Sequence, residues 1–136
     1  MKLVVLDTNV IISAGITPSG IPAKLIFDWV LKGEVQTAIS PAVLAEYREV
    51  ARRTKFLRYG FPPPWLEFLI EDSLWLRDPE PWMQPCPDPK DVHLLALAHA
   101  AGAWLVTGNL KHFPETVRNG VRVVSPADYL AHLLEA

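Results

Sequence analysis

The chain has 136 residues, 13 Lys or Arg against 15 Asp or Glu, and a single cysteine, Cys86. A chain of about 150 residues buries roughly two-thirds of its unfolded surface, so one domain over residues 1–136 needs no disulfide framework, and Cys86 alone cannot supply one. The longest apolar run near the start, Leu3 to Leu6, is too short for a signal peptide or a membrane span, and the charge balance excludes a strongly basic coat. We therefore expect a cytoplasmic protein that does not enter membranes.

Most of the 13 prolines mark helix starts or lie in one extended connector. Ser40-Pro41, Asp88-Pro89 and Ser125-Pro126 each combine a favoured N-cap residue with Pro at the first helical position. In chain order, the patterns predict a strand over 3–6, a helix over 23–31, a strand over 35–39, helices over 41–53 and 64–76, an extended proline-rich connector over 78–88, a helix over 89–101, strands over 104–106 and 121–124, and a helix from 126 onward.

The predicted strands are continuous aliphatic runs, which is typical of strands buried on both faces. Because strands alternate with helices along the chain, the pattern predicts a parallel sheet with helices on both sides. Ligands of such sheets bind at the carboxyl ends of the strands. Asp7 and Asn109 each follow a strand at that edge, and the helix that begins at Pro89 starts there too.

Two further acids are candidates for this edge. Asp91 shares a helix face with Leu94, Leu95 and Ala98, so it points toward the core, where a carboxylate needs a partner or a metal. It also fits a plain first-turn acid that interacts with the helix dipole. Glu46 lies at the boundary of the buried stripe of its helix, and taken alone it fits a solvated surface residue better.

Asp7 on its own fits a turn or cap residue within Asp7-Thr8-Asn9. If Asp7, Glu46 and Asp91 meet, however, their mutual repulsion requires a cation. Oxygen ligands without a His or Cys cluster select Mg²⁺ or Mn²⁺ over zinc, and carboxylate-held Mg²⁺ is a common device of phosphoryl chemistry.

Four segments, which occur in the family's order across essentially the whole chain, resemble the PIN domain. They are Leu3-Val-Val-Leu-Asp7-Thr-Asn9, Ser40-Pro-Ala-Val-Leu-Ala-Glu46, Asp88-Pro-Lys-Asp91-Val-His-Leu-Leu-Ala-Leu-Ala98 and Leu105-Val-Thr107-Gly-Asn109. The chain is most similar to the prokaryotic toxin components of toxin–antitoxin systems. The resemblance implies a three-layer α/β/α sandwich, metal-dependent endoribonuclease activity, catalytic and metal-binding residues at Asp7, Glu46 and Asp91, dimerisation, and a small antitoxin partner.

One position departs from the family pattern, because Asn109 stands where a fourth acid is common. An amide keeps one oxygen ligand and removes a charge, so we expect Asn109 to be an auxiliary ligand and a second metal to bind more weakly. This departure leaves open a descendant that has lost activity and serves as an RNA-binding or protein-binding module. A phosphatase with a strand-end Asp nucleophile is a weaker alternative, because that chemistry usually uses a second acid at the position of Asn9.

Other polar residues are assigned around this site. Thr8, Asn9 and Thr107 flank the predicted ligands and are expected to orient them or the attacking water. Phe113 or Tyr59 could stack on a base, whereas His112 is expected to take no part. The cations expected to hold the RNA backbone, with a solvated surface as the alternative, are Arg52, Arg53, Lys55 and Lys111.

Overall fold

The computed structural model describes residues 2–80, 82 and 86–135. The strands are β1 (Lys2–Leu6), β2 (Val35–Ile39), β3 (Leu74–Trp75), β4 (Trp104–Val106) and β5 (Val123–Val124). The α-helices are α1 (Thr8–Ile16), α2 (Ile21–Leu25), α3 (Pro41–Ala51), α4 (Trp65–Glu71), α5 (Val92–Ala101), α6 (Glu115–Arg118) and α7 (Pro126–Glu135). A π-helical turn, Ile26–Val30, extends α2, and 3₁₀ turns cover Thr54–Tyr59, Pro89–Asp91 and Leu110–His112.

The described strands form one parallel sheet in the order β3-β2-β1-β4-β5, with helices on both sides. This confirms the predicted α/β/α sandwich. The central strand β1 is fully buried at Val4, Val5 and Leu6, as expected for a strand covered on both faces. Pairing of Leu6 with Val106 brings the carboxyl ends of β1 and β4 side by side.

The predicted N-caps are present. The Ser40 and Ser125 hydroxyls accept hydrogen bonds from the backbone N–H groups of Val43 and Asp128, and the Asp88 carboxylate accepts one from Lys90. Gly102 ends α5 with a φ of 63°, in the left-handed region that glycine adopts without steric cost. These caps fix where α3, α5 and α7 begin or end relative to the sheet edge.

Several predicted bounds were wrong. The helix predicted over 64–76 ends at Glu71, and Leu74–Trp75 forms edge strand β3 because the Leu76 N–H donates to the Ile39 carbonyl of β2. The helix predicted from Pro89 begins as a 3₁₀ turn and becomes α-helical at Val92. Helix α1 was not predicted. Within the connector predicted over 78–88, residues 81 and 83–85 lie outside the described part of the chain.

No single helix in the described ranges is long and apolar enough to cross a membrane. Thr8–Ile16 together with Ile21–Val30 meets the length and composition criteria only as a pair bent by 103°.

Candidate active site

Asp7 lies at the carboxyl end of β1, and its side chain faces the neighbouring strand. Its backbone N–H donates to the Val106 carbonyl at 2.9 Å, which continues the pairing of β1 and β4. Its carboxylate Oδ2 accepts hydrogen bonds from Thr107 Oγ1 at 2.8 Å and from Asn9 Nδ2 at 3.3 Å. Although Asp7 precedes α1, its side chain does not cap that helix. The carboxylate is therefore held both from the neighbouring strand end, by Thr107, and locally, by the start of α1.

The environment of Asp7 disfavours its charged form. The residue is only 7% exposed, and this burial is the main reason why its pKa is raised. The Thr107 hydrogen bond lowers the pKa, and the charge of Glu46 raises it further. The hydrogen bonds to Asp7 do not offset the effect of burial on its pKa. A positive charge near the carboxylate would be needed to do so.

Asp91 is the second buried acid. The 3₁₀ turn Pro89–Asp91 turns it inward, as the sequence pattern predicted, and it is 8% exposed. Burial first, and then the charges of Asp7 and Asp88, raise its pKa to about 6, while His112 opposes the rise. The Asp91 Oδ2 atom lies 3.1 Å from His112 Nδ1 and has no other polar partner among the described residues.

Glu46 reaches the same edge from α3 and is half-buried. Its Oε2 atom accepts a hydrogen bond of 2.6 Å from Thr8 Oγ1, at the first residue of α1. The adjacent Tyr47 is fully buried, and its hydroxyl donates to the Leu6 carbonyl at the end of β1. This bond ties α3 to the strand end. Burial, followed by the charges of Asp7 and Glu46, raises the pKa of Tyr47, so the phenol stays protonated.

Asn109 joins this network through its backbone and its side chain. Its backbone N–H donates to Thr107 Oγ1 at 3.0 Å, and its amide nitrogen lies 2.9 Å from His112 Nε2. The neighbouring Gly108 N–H donates to Asn9 Oδ1 at 3.0 Å. Thr8, Asn9 and Thr107 thus all contact predicted ligands or the residue beside them, whereas the Asn109 side chain contacts His112.

The donor set fits a divalent cation. Ligand atoms of Asp88, Asp91 and His112 all lie within 4.8 Å of one another. Asp7 lies close enough to Asp91 for its charge to raise the pKa of that acid, and Glu46 acts in the same way on Asp7. Buried acids with raised pKa values are what a cation would relieve.

Two cavities lie along α3. One of about 240 Å³ adjoins the acids and is lined by Ala42, Val43, Glu46, Pro89, Lys90 and His93. A more open one of about 580 Å³ is lined by Glu49, Arg52, Arg53, Thr54 and Lys55. In the second cavity Arg53 pairs with Glu49 at 3.0 Å, whereas Arg52 is exposed and the Lys55 ammonium lies over the Phe56 ring. Exposed Lys111 follows Asn109 on its own 3₁₀ turn.

Some sequence predictions around the site need correction. Phe113 is fully buried, so it cannot stack on a base, whereas Tyr59 is 38% exposed. His112 was expected to take no part and Asp88 was kept outside the core set as an N-cap, and the structure places a ligand atom of each within 4.8 Å of one on Asp91. The three-residue spacing within each pair could have predicted these contacts. Residues i and i+3 lie on the same side of a 3₁₀ turn, so Asp88 is aligned with Asp91, and Asn109 with His112.

Comparisons with known proteins agree with this architecture. An uncharacterized protein of Methanocaldococcus jannaschii is 31% identical over 109 residues, which are 78% of this chain and 70% of that protein. VapBC from Salmonella typhimurium, solved bound to DNA, superposes with a TM-score of 0.64 at 19% identity, over 93% of this chain and 99% of the other.

Two further solved structures share the fold. VapBC2 from Rickettsia felis, bound to a DNA fragment from its promoter, gives a TM-score of 0.63 at 18% identity, over 90% of this chain and 98% of that chain. FitAcB from Neisseria gonorrhoeae gives a TM-score of 0.58 at 19% identity, over 91% of this chain and 98% of that chain. The PIN domain family matches residues 3–111. This match includes all four acidic or amide positions of the candidate site, and the chain belongs to the PIN domain family.

Proposed function

We propose that this protein is a Mg²⁺- or Mn²⁺-dependent endoribonuclease that hydrolyses RNA phosphodiester bonds. The observation that carries the proposal is the pair of buried acids Asp7 and Asp91 at the carboxyl edge of the sheet, where the charge of Asp7 raises the pKa of Asp91 and no lysine or arginine of the described residues forms an ion pair with either. Such a pair is unfavourable in a protein that never binds a cation. Membership of the PIN domain family supports the same chemistry.

Each residue of the candidate site has a role in the proposed reaction that follows from its position. Asp7, Glu46 and Asp91 would hold the cation, which when bound activates water and neutralises charge that develops on the phosphate. Thr107 and Asn9 orient the Asp7 carboxylate, and Thr8 orients Glu46. Asn109 is the auxiliary member, because the Thr107 hydroxyl holds its backbone and its amide lies beside His112.

RNA would approach the site along α3. Arg52 is six residues after Glu46, which corresponds to about 9 Å along a helix axis. Arg52, Arg53 and Lys55 line one open cavity, and Lys111 lies in the 3₁₀ turn that follows Asn109. Cations on α3 and on the Asn109 turn suit a strand of RNA that passes the acidic centre, since phosphate contacts position the backbone.

We also propose a small antitoxin and a second copy of the chain as protein partners. VapBC structures share this fold, and the exposed apolar side chains Phe68, Leu74 and Trp75 lie on α4 and edge strand β3. A neighbouring reading frame that encodes a small protein, and a stable complex on co-expression, are the expected observations. A monomer in size-exclusion chromatography with light scattering would contradict self-association.

Substitution of Asp7 tests the proposed chemistry. Asp7→Asn keeps the shape and removes the charge, so cleavage of a labelled RNA in Mn²⁺ should fall at least 100-fold with the circular dichroism spectrum unchanged. Asp28→Asn makes the same change at an exposed position on the π-helical turn and should cleave as the wild type does. Equal cleavage by purified Asp7→Asn and wild-type protein would show that the acids do not act in the reaction.

A binding module that does not cleave is the second candidate. The observation that favours it is the side chain of Asn109, which contacts His112 instead of adding a fourth charge to the acids. A chain that binds RNA and releases no product with either Mg²⁺ or Mn²⁺ would support this candidate against the nuclease.

A further inference from the structure

We propose that Asp88, Asp91 and His112 form a second cation position that takes a first-row transition-metal ion in preference to Mg²⁺, and that Asn109 is its positioning residue. The proposal rests on the proposed function only in that both use Asp91. It concerns which ion the chain selects and through which atoms, and it needs no assumption about the reaction.

The Asp91 carboxylate provides the first observation. Asp91 is 8% exposed, and apart from His112 its Oδ2 atom has no polar partner in the described part of the chain. A buried carboxylate with a single neighbour of this kind is costly, and a metal ligand is one of the few roles that compensates for it. This oxygen faces the imidazole of His112, whose Nδ1 atom is 3.1 Å away.

His112 provides the second observation, because its ring is held at its other nitrogen. The Asn109 amide lies 2.9 Å from His112 Nε2, and the Asn109 backbone is in turn held by Thr107. A histidine that binds metal through one nitrogen usually donates its other N–H to an oxygen, which fixes the ring. The structure has the amide nitrogen at Nε2, which corresponds to a proton on Nδ1. Turning the amide over places its oxygen there, where it accepts from Nε2–H and leaves Nδ1 bare for a metal. The Asn109 side chain would then act through His112.

Asp88 completes the set. One of its oxygens, Oδ1, accepts the Lys90 N–H at 3.0 Å and caps the turn, which leaves the other oxygen available. Two carboxylates and one imidazole are a mixed donor set. Mg²⁺ is bound in proteins almost entirely by oxygen, whereas first-row transition ions accept imidazole nitrogen as well. The nitrogen of His112 is therefore the atom that distinguishes the ions.

Direct spectroscopy on the wild-type protein tests the assignment without a substitution. With Mn²⁺ as the probe, pulsed electron paramagnetic resonance should detect hyperfine coupling to an imidazole nitrogen. That coupling should disappear in His112→Ala and persist in His93→Ala, which removes a histidine from the adjacent helix α5. Absence of nitrogen coupling in the wild type, or its persistence in His112→Ala, overturns the proposal.

Calorimetric titration with Mn²⁺, Zn²⁺ and Mg²⁺ in turn gives the selectivity. His112→Ala should weaken Mn²⁺ and Zn²⁺ binding by at least about 10-fold, as loss of a ligand or its support commonly does, and leave Mg²⁺ binding unchanged. Asn109→Ala should also weaken the binding of Mn²⁺ and Zn²⁺ and leave that of Mg²⁺ unchanged. Asp88→Ser retains a capping oxygen and removes the carboxylate, so it should weaken all three ions. An unchanged ratio of Mn²⁺ to Mg²⁺ affinity in His112→Ala contradicts the assignment.

These measurements separate the two proposals. Wild-type protein that shows nitrogen coupling and prefers transition ions but cleaves no RNA would sustain the cation position and reject the nuclease. Protein that cleaves RNA with equal Mg²⁺ and Mn²⁺ affinities and no nitrogen coupling would do the reverse.

Discussion

At the residue scale, Thr107 connects both halves of the candidate site through one hydroxyl. It is fully buried, donates to Asp7 Oδ2 at 2.8 Å and accepts the Asn109 N–H at 3.0 Å. Thr107→Val has nearly the same shape but leaves the Asn109 donor unpaired and Asp7 less constrained. We expect Mn²⁺ affinity to fall about 10-fold and stability to fall by about 1–3 kcal/mol, measured by calorimetry and urea unfolding.

Thr37→Val is the matched control for this change. Thr37 is also buried, and its hydroxyl is hydrogen-bonded to Ser73, at the β2–α4 side of the sheet. The control should lose stability and keep the wild-type affinity for Mn²⁺. If both valine variants bind Mn²⁺ as the wild type does, the Thr107 hydroxyl does not organise the site.

Asp91 has a pH-dependent effect on stability whose sign follows from its pKa. The folded value is about 6 and the ordinary value is 3.8, so between these pH values the folded state holds a proton that the unfolded state has lost. The contribution of Asp91 to stability therefore improves as pH falls from above 6 toward 4. In EDTA at pH 7, Asp91→Asn should raise the melting temperature by about 3 °C, for a gain of about 1 kcal/mol.

The difference between wild type and Asp91→Asn isolates this carboxyl from the other titrating groups. Thermal unfolding of both proteins should show the difference shrinking as the pH is lowered through 6 toward 4. A difference that is constant over this range would show that Asp91 titrates at its ordinary pKa. Saturating Mn²⁺ should reverse the order of stability, because only the wild type keeps the ligand.

At the element scale, α1 packs so closely on the segment after the Thr54–Tyr59 turn that Gly15 has no room for a side chain. A Cβ atom at Gly15 would clash with the Phe61 ring, which is 4% exposed and packs at a tilt against Phe56 with ring centroids 5.4 Å apart. Although alanine normally stabilises a helix relative to glycine, Gly15→Ala should lower the free energy of unfolding here by about 1–3 kcal/mol.

A double-mutant cycle checks the cause of this effect. Phe61→Leu removes the far end of the ring, so adding Gly15→Ala to it should cost less than in the wild-type background. Urea unfolding of the four proteins gives the coupling. Equal effects of Gly15→Ala in both backgrounds would assign the loss to something other than contact with Phe61.

Helix α1 also shows which elements the sequence patterns could predict and which they could not. Strands β2 and β4 and the start of α3 follow the predicted bounds, because their aliphatic runs and their caps are local signals. Helix α1 gives no such signal. Its β-branched residues favour strands, and burial of Val10, Ile11, Ile12 and Ala14 removes the polar face that would show its period. Tertiary packing decides its conformation.

Edge strand β3 and the contact of His112 with Asp91 were missed for a related reason. Leu74–Trp75 is extended because it pairs with β2, and the pairing is supported by bonds from Gln36 to the Asp72 carbonyl and between Thr37 and Ser73. The sequence predicted Asp7, Asp91 and the sheet edge where they meet because strand ends and helix starts are readable. Contacts such as that of His112 with Asp91 depend on how two separate turns are oriented.

At the scale of the whole molecule, the formal charge of −2 does not attract RNA, so RNA binding depends on where the cationic side chains lie. One bound divalent ion would bring the formal total to zero, so long-range attraction stays weak and local contacts matter most. Arg52, Arg53 and Lys55 all line the same open cavity, but Arg53 already pairs with Glu49, whereas the other two form no ion pair among the described residues. We therefore expect Arg52 and Lys55 to carry more of the phosphate binding than Arg53.

The salt dependence of RNA binding measures this distribution. In Arg52→Ala/Lys55→Ala, the slope of log K against log salt for a single-stranded RNA should become shallower by about 0.7 for each phosphate that the protein no longer neutralises. Lys24→Ala/Lys32→Ala removes the same charge from exposed positions on and after α2. It should leave the slope near its wild-type value, because those lysines lie outside the cavities along α3. Equal flattening by both pairs would mean that RNA responds to the net charge of the molecule and not to a path across the acids.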